Sequence, residues 1–92
     1  MSQSEHVFDD LIGREVVLDA VGQYVYVGTL AGHDERYLIL NDADVHDLRD
    51  TATTRELYVL EARRHGVRAN RRRVHVRREE VISLSALDDV IE

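Results

Sequence analysis

A glycine lies inside the most regular strand pattern of this chain. Residues 24–30 alternate in the manner of a β-strand, and apolar side chains occur on both of its faces. One face carries Tyr24, Tyr26, Gly28 and Leu30, and the other carries Val25, Val27 and Thr29. Because Gly28 removes a side chain in mid-strand, the pattern predicts a strand that bends there. A short, bent strand with two apolar faces is typical of a small β-barrel.

The chain has 92 residues, which is enough for one domain with a modest apolar core. The absence of cysteine excludes disulfide bonds, thiolate metal sites and a cysteine nucleophile. No apolar run approaches the roughly 18 residues of a membrane span, and residues 1–5 lack the apolar segment of a secretion signal. We therefore expect a cytoplasmic protein without a membrane partner.

The first half of the chain predicts one helix followed by three antiparallel strands. Ser4 and Gly13 are typical of the N-cap and the end of a short helix. The predicted elements are a helix at about residues 4–12, strands at residues 15–19, from residue 24 and at residues 36–43, and turns at residues 21–23 and 32–35.

The hydrophobic period changes in an insertion at about residues 45–70. Thr53 and Glu56 form a candidate capping box before a helix, and Gly66 is typical of its end. The apolar run at residues 58–60 leaves a strand possible at the same place. The remaining predicted elements are the inserted helix at about residues 54–65 and strands at residues 71–78 and 81–85, all within a single domain at residues 1–92.

The charges of the chain are strongly segregated. The segment from Arg63 to Arg78 contains eight arginines and no acid, whereas the remainder carries four arginines against 18 acids. In the predicted fourth strand Val74 and Val76 would face inward. The other face would carry a row of cations, Arg71, Arg73, His75 and Arg77. Such a basic stripe binds phosphates, or it pairs with acids of the same chain or of a neighbouring subunit.

Two segments together resemble the bipartite signature of the Sm and Sm-like (LSm, Hfq-related) family. The first, at about residues 15–43, follows the family order of an apolar residue, a glycine, a leucine and a turn aspartate at Tyr26, Gly28, Leu30 and Asp34. The second, at about residues 71–85, is approached by Val74, Val76, Arg77, Val81 and Ile82, with Leu84 beyond, and Arg77 matches the family arginine. The resemblance implies a mainly β fold, a small, strongly bent, five-stranded antiparallel barrel of the Src-homology-3-like type. The predicted N-terminal and inserted helices would accompany this barrel.

The chain departs from the family pattern at two site positions. The family asparagine falls on Tyr37 or Leu38, depending on where a one-residue gap is placed, and Arg78 replaces the family glycine. In the family, the asparagine and the motif arginine together bind and stack on a base. Leucine has no hydrogen-bonding group, and tyrosine has a single hydroxyl. The uridine-type pocket of the family is therefore not carried over to this chain.

The resemblance and the basic stripe together predict nucleic-acid contacts and a ring. The candidate contacts are Asp34 as a turn cap, Arg36 and Tyr37 as a stacking pair, Arg77 as a phosphate or stacking contact, and Arg71, Arg72 and Arg73 from the basic stripe. Tyr37 could instead pack within its strand. The fourth and fifth strands would have unpaired edges, which invite strand addition from a neighbour. Family membership implies a homo-oligomeric ring of six or seven subunits.

Two functions fit these features. In the first, the ring binds RNA or single-stranded nucleic acid through its arginine-rich face with low base specificity. In the alternative, it is an oligomeric scaffold for protein partners that has lost its nucleotide pocket, and the inserted helix is the docking surface. We expect no enzyme activity, because His33, His65 and His75 lack triad partners and the sequence contains no nucleophile elbow.

A cluster of acids and histidine is the remaining candidate site. If the third strand continued, Asp42, Asp44 and His46 would project from one face. Their oxygen and nitrogen donors are of the kind that hold a divalent cation such as Mg, Mn, Ca or Zn. Polar residues at the end of a strand also form turns. No other cofactor is expected.

Overall fold

Five antiparallel strands form one sheet in the computed structural model, which describes residues 3–50 and 52–92. The helices are α1 (Gln3–Leu11) and α2 (Arg55–His65), and the strands are β1 (Glu15–Ala20), β2 (Tyr24–His33), β3 (Tyr37–Asp47), β4 (Arg71–Arg77) and β5 (Val81–Ala86). Their order in the sheet is β4-β3-β2-β1-β5, so that β4 and β5 are the edges. The predicted mainly β, five-stranded antiparallel fold is confirmed. Neither described helix is long and apolar enough to cross a membrane.

Gly28 is required where β2 passes a bulge in β3. The register of the two strands shifts between Val27 and Thr29, opposite Asp42 and Ala43. A Cβ atom at Gly28 would lie 2.9 Å from both the Cα and the Cβ of Ala43, which is closer than van der Waals contact permits. Asp42 has a positive φ of 49°, as an extra residue in a bulged strand often does. The glycine therefore permits a close approach of the two strands at the position where the sequence predicts a bend in β2.

Two apolar clusters lie on the two faces of β1 and β2. The first buries Val16, Leu18, Leu30, Leu38, Leu40, Ala43 and Val76, and the second buries Val17, Val25, Val27, Val59 and Leu87. Successive residues of one strand, such as Val16 and Val17, thus enter different clusters. Phe8 and Leu11 of α1 pack on the first cluster, while Val59 of α2 closes the second. Both faces of β2 carry apolar side chains because each face is buried in one of the two clusters.

Helix α2 begins and ends at clear local signals. The Thr54 hydroxyl accepts a hydrogen bond from the N–H of Leu57 at 3.2 Å, which makes Thr54 the N-cap. The capping box predicted at Thr53 and Glu56 is therefore wrong by one residue. Gly66 has a φ of 88° and donates its N–H to a carbonyl of the last turn at 2.9 Å. The predicted helix, and not the alternative strand, is confirmed.

Asn70 returns the chain from α2 to the sheet. Its main-chain N–H donates to the Ala43 carbonyl at 2.9 Å. Its side-chain amide exchanges two hydrogen bonds with the main chain of Val45, each at 3.0 Å. The Asn70 side chain thus imitates a paired strand residue immediately before β4. This contact helps to set the register in which Arg71 pairs with Ala43.

Several element boundaries differ from the prediction because strand pairing extends beyond the local sequence signals. β3 continues to Asp47, since residues 24–27 of β2 pair with residues 44–47, and the insertion therefore begins after Asp47. β2 includes Gly32 and His33, which were predicted in the turn. Helix α1 already includes Ser4, which is therefore not its N-cap.

Candidate nucleic-acid interface

Two turns at one end of the sheet enclose a cleft. The turn between β2 and β3 meets the turn between β4 and β5, because Tyr37 and Arg77 are register partners. The cleft has a volume of about 310 Å³ and is lined by Glu35, Arg36, Tyr37, Arg77, Arg78 and Glu79. We call it the turn cleft. It brings together Arg36, Tyr37 and Arg77, three of the predicted nucleic-acid contacts from two distant segments of the sequence.

Asp34 organises one wall of the turn cleft. Its Oδ1 accepts hydrogen bonds from the main-chain N–H groups of Arg36 and Tyr37, both at 2.8 Å. Its own N–H donates to the Tyr37 carbonyl at 3.0 Å. The N–H donors, first that of Arg36, hold the pKa of the Asp34 carboxyl below its usual value because they stabilise the carboxylate. Asp34 thus caps its turn, as the sequence predicts.

Arg78 joins the two turns. Its main-chain N–H donates to the Arg36 carbonyl at 2.8 Å, and its Nη1 donates to the Asp34 carbonyl at 2.6 Å. The sequence shows Arg78 only as a departure from the family glycine, so this contact was not predicted. The feature of the sequence that could have indicated this contact is an arginine, with five N–H donors, at a turn position where the family has a glycine.

Arg77 and Tyr37 supply an accessible cation and an aromatic ring. Arg77 Nη2 lies 2.6 Å from Glu79 Oε1, and the two side chains are 61% and 71% exposed. Ion pairs with this exposure contribute little to stability, so the guanidinium can exchange Glu79 for another anion. The Tyr37 ring is half-buried and meets the His75 ring edge-on, with 6.0 Å between ring centres.

The structure distinguishes the two candidates for the family asparagine position. Leu38 is 1% exposed, belongs to the first apolar cluster and pairs with Val76 of β4. Tyr37 points away from that cluster and lines the cleft. Among the six lining residues, Tyr37 therefore offers a hydroxyl to a base edge, and none offers a side-chain amide.

Three other predicted contacts, residues 71–73, lie at the far end of β4. Arg77 follows Arg71 by six positions, which is about 20 Å along a strand. Arg73 Nε donates to Asn41 Oδ1 at 3.1 Å. A hollow of about 450 Å³ beside them is lined by Asn41, Asp42, Arg72 and Arg73. We call residues 71–73 the arginine patch. The predicted contacts thus form two groups, and not one continuous face.

Two further arginines of the basic stripe are paired within the chain. Arg63 Nη1 and Arg64 Nε donate to the Glu92 carboxylate at 2.9 and 2.6 Å. These bonds, first that from Arg64, lower the pKa of Glu92. For Arg63 and Arg64 the structure supports the pairing with acids that the sequence left open as an alternative.

The three predicted metal ligands do not form a common site. The bulge interrupts the alternation of β3, so Asp42 lines the hollow beside the arginine patch, while Asp44 lines another beside α2. Asp44 accepts hydrogen bonds from the Tyr58 hydroxyl and the Asn70 amide, and the His46 ring stacks on Tyr58 with 4.2 Å between centres. Burial, and then Asp44, raise the pKa of Tyr58. Within residues 3–50 and 52–92, no three acidic or histidine side chains are grouped so as to hold a metal ion.

Known proteins resemble this chain in structure at low sequence identity. No family model matches the chain, and no curated protein matches it. An Sm protein of Pyrococcus abyssii, in complex with a uridine heptamer, superposes with a TM-score of 0.63 at 16% identity, over 92% of this chain and 99% of that one. The SmAP1 heptamer of P. aerophilum gives 0.59 at 19% identity, over 94% and 95%. A heptameric archaeal Sm protein gives 0.56 at 20% identity, over 88% and 96%. The fold implied by the sequence resemblance is confirmed.

Proposed function

We propose that this chain, which has the Sm-like fold, assembles into a ring that binds RNA or other single-stranded nucleic acid with low base specificity. The turn cleft is the main contact and the arginine patch is a second one. The observation that carries the proposal is that Arg36, Tyr37 and Arg77 line one cleft, although they come from distant parts of the sequence. The proposed activity is binding, without catalysis.

The turn cleft has the chemical groups that a nucleotide requires. A guanidinium binds a phosphate through two parallel N–H bonds, and Arg77 becomes available for this when it releases Glu79. Tyr37 supplies a ring, and the guanidinium plane of Arg36 supplies a second flat surface, for stacking on a base. Stacking and phosphate contacts together bind a single strand without reading its sequence.

Low base specificity follows from the groups that the cleft lacks. Recognition of one base requires hydrogen-bond donors and acceptors arranged to match its edge. At the family asparagine position, Leu38 is buried in the first apolar cluster, so the Tyr37 hydroxyl stands in place of the amide that would donate to and accept from a base edge at once. We therefore expect similar affinities for uridine-rich and adenosine-rich strands.

Ring assembly would use the two edges of the sheet. β4 and β5 each have one side that pairs with no strand of the described chain, so β5 of one copy can pair with β4 of the next. Ile82 on β5 is 68% exposed, and a neighbouring copy would cover this large apolar side chain. A head-to-tail contact of this kind closes into a ring when its rotation allows, and otherwise extends into a filament. The heptameric Sm proteins with the same fold support assembly into a ring, which we propose has six or seven subunits.

A second candidate function is a ring that binds protein partners through α2. A hollow of about 220 Å³ lies between α2, the sheet and the C-terminal residues, and its lining includes Val59, Leu60 and Ile91. Leu57, also on α2, is 47% exposed. In this alternative the cleft without an amide is a lost nucleotide site, and the exposed arginines pair with acids of neighbouring subunits.

Fluorescence anisotropy with labelled oligo-uridine, oligo-adenosine and mixed strands tests the first proposal, after light scattering has fixed the oligomer size. We expect saturable binding whose logarithm falls linearly with the logarithm of salt concentration, at a slope of about −0.7 for each phosphate contact. All three strands should bind with similar affinity, because the cleft has no side-chain amide for base readout.

Arg77→Ala is the variant that identifies the turn cleft. It should weaken binding about tenfold and reduce the salt slope by about one contact. Arg49→Ala is the matched control, because Arg49 also pairs with an acid two residues away, Asp47, at 2.7 Å and at the far end of β3. Equal losses in the two variants, or a ring that binds none of the strands, would favour the protein scaffold.

A further inference from the structure

Arg78 contacts three separate elements of the fold. In addition to its hydrogen bonds with the Asp34 and Arg36 carbonyls, its guanidinium carbon lies over the Phe8 ring of α1, 4.7 Å from the ring centre. A guanidinium at this distance is attracted by the negative face of an aromatic ring. One residue therefore links α1, the β2–β3 turn and, through its own backbone, the β4–β5 turn.

A second set of contacts holds α1 beside the same turn. The ring centres of Phe8 and His33 are 5.3 Å apart, and His33 Nε2 lies 2.7 Å from Asp9 Oδ1. Phe8 also packs against the first apolar cluster. The ring that Arg78 contacts is thus fixed by the core and by β2, which gives the Arg78 guanidinium a partner in a defined position.

Glycine at position 78 would supply one of these contacts and lose two. The main-chain bond to Arg36 needs no side chain, whereas the contacts with the Asp34 carbonyl and the Phe8 ring both do. The backbone at Arg78 does not take a positive φ, so this turn does not need the conformational freedom of glycine. The arginine therefore adds contacts without adding backbone strain.

We propose that Arg78 is a positioning residue that fixes α1 and both turns in one arrangement, and thereby sets the places of Arg36, Tyr37 and Arg77 before a ligand binds. The inference rests on the proposed function for the identity of that ligand, a single-stranded nucleic acid. Preorganisation of this kind raises affinity, because less conformational freedom is lost on binding.

The two neighbouring arginines have different tasks in this proposal. Arg78 is half-buried, and its side chain donates to the Asp34 carbonyl within the protein. Arg77 is exposed and pairs with Glu79, which is also exposed. We therefore assign phosphate binding to Arg77 and the fixing of the cleft to Arg78.

Hydrogen exchange of the protein without nucleic acid tests whether Arg78 holds these elements together. Arg78→Gly removes both side-chain contacts, so we expect faster amide exchange in α1 and at residues 34–37, with the exchange of β1 and β2 unchanged. Arg78→Lys retains a cation that can lie over Phe8 and should restore part of the protection. Unchanged exchange of α1 and of the turn in Arg78→Gly would overturn the proposal.

Salt titrations of oligo-uridine binding test the consequence for the cleft. Arg78→Gly should weaken binding about fivefold at a fixed salt concentration and leave the salt slope unchanged, because no phosphate contact is removed. Arg77→Ala, in contrast, should reduce the slope. A slope reduced by about one contact in Arg78→Gly would make Arg78 a phosphate ligand and would also overturn the proposal.

Phe8→Leu keeps the inference testable if Arg78→Gly does not fold. It retains an apolar side chain over the first cluster but removes the aromatic ring, so it should accelerate exchange at residues 34–37 as well. Amide exchange at residues 34–37 is then compared between Arg78→Lys alone and Arg78→Lys combined with Phe8→Leu. The turn should be less protected from exchange in the combined variant, where the lysine has no ring to contact, and equal protection would count against the Phe8 contact. If the wild-type protein binds no nucleic acid, the proposed function fails, while the exchange data still decide whether Arg78 holds α1 and the turns.

Discussion

The turn cleft and the arginine patch lie at the two ends of β4 and present arginine in different ways. In the cleft, contacts from Asp34 and Arg78 fix the main chain of two turns around the exposed Arg77. In the patch, three consecutive exposed arginines follow one another on an edge strand, and one of them, Arg73, bonds to a neighbouring side chain. Arginine content alone therefore does not distinguish a built site from a charged surface. The contacts around each guanidinium make that distinction.

This difference implies two kinds of contribution to binding. The patch offers charge, so its share of the affinity should fall steeply with salt and be the same for every strand. The turn cleft adds the Tyr37 ring, whose stacking on a base does not depend on counterion release. Variants at the two ends of β4 should therefore differ in how strongly their loss of binding affinity depends on salt concentration.

Gly28→Ala is expected to have the largest effect, because it disturbs the part of β3 on which the arginine patch is built. The new Cβ would lie 2.9 Å from the main chain of Ala43, and Ala43 in turn pairs with Arg71. We expect a loss of about 2 kcal/mol in the free energy of unfolding, measured by urea denaturation.

Gly32→Ala is the matched control for that variant. A Cβ at Gly32, in the same strand, meets no atom within 4 Å, so the free energy of unfolding should change by less than about 1 kcal/mol, the amount by which alanine reduces the conformational freedom of the unfolded chain. Equal destabilisation of the two variants would show that contact with Ala43 is not the reason for the glycine at position 28.

Replacing the three arginines of the patch by alanine should have the next largest effect. We expect binding of oligo-uridine and oligo-adenosine to weaken equally, by roughly tenfold, with a salt slope reduced by up to about three contacts. The double variant Arg63→Ala and Arg64→Ala is the control, because both side chains already pair with Glu92. A patch variant that lost affinity for one strand and not the other would contradict the division between the two sites.

Asp34→Ala should have a smaller effect, confined to the turn cleft. The substitution removes the acceptor of the Arg36 and Tyr37 N–H groups, so the turn should loosen and nucleic-acid binding should weaken about fivefold, without a change in salt slope. Asp34→Asn keeps a side-chain oxygen as acceptor and should recover most of the affinity. If Asp34→Asn bound as weakly as Asp34→Ala, the charge of Asp34, and not its hydrogen bonds, would be the property that the cleft needs.

The fold could be predicted from the sequence because the residues that bend a strand or end a helix lie within the elements they affect. Gly28, within the alternating strand pattern, lies where β2 closely approaches β3. Gly66, the predicted end of the inserted helix, lies at the end of α2. The bulge at Asp42 could not be predicted, because it depends on how β3 pairs with β2. The same pairing extends β3 to Asp47, beyond any signal in its own residues.

The candidate site was predicted in part for a similar reason. Asp34, Tyr37 and Arg77 lie in segments that resemble family motifs, and the structure places them around one cleft. Arg78 acts through Asp34, 44 positions earlier in the chain, and through Phe8 of α1. The residues next to Arg78 in the sequence indicate neither partner. The sequence therefore revealed that the family glycine is replaced, but not the contacts that the arginine makes.

The smallest expected effect is a loosening of the turn at Asp34 when the pH is lowered, which the arginine patch should not show. Since main-chain N–H groups lower the pKa of Asp34, the stabilisation of the turn is fully present above the usual Asp range, and it is lost as the pH falls through the lowered pKa of the folded protein. Arginine remains charged throughout. An NMR titration of the Tyr37 amide should therefore show a midpoint below the usual pKa of an Asp carboxyl, and Asp34→Asn should abolish this titration. A midpoint at or above the usual Asp value would mean that the carboxylate does not hold the turn in solution.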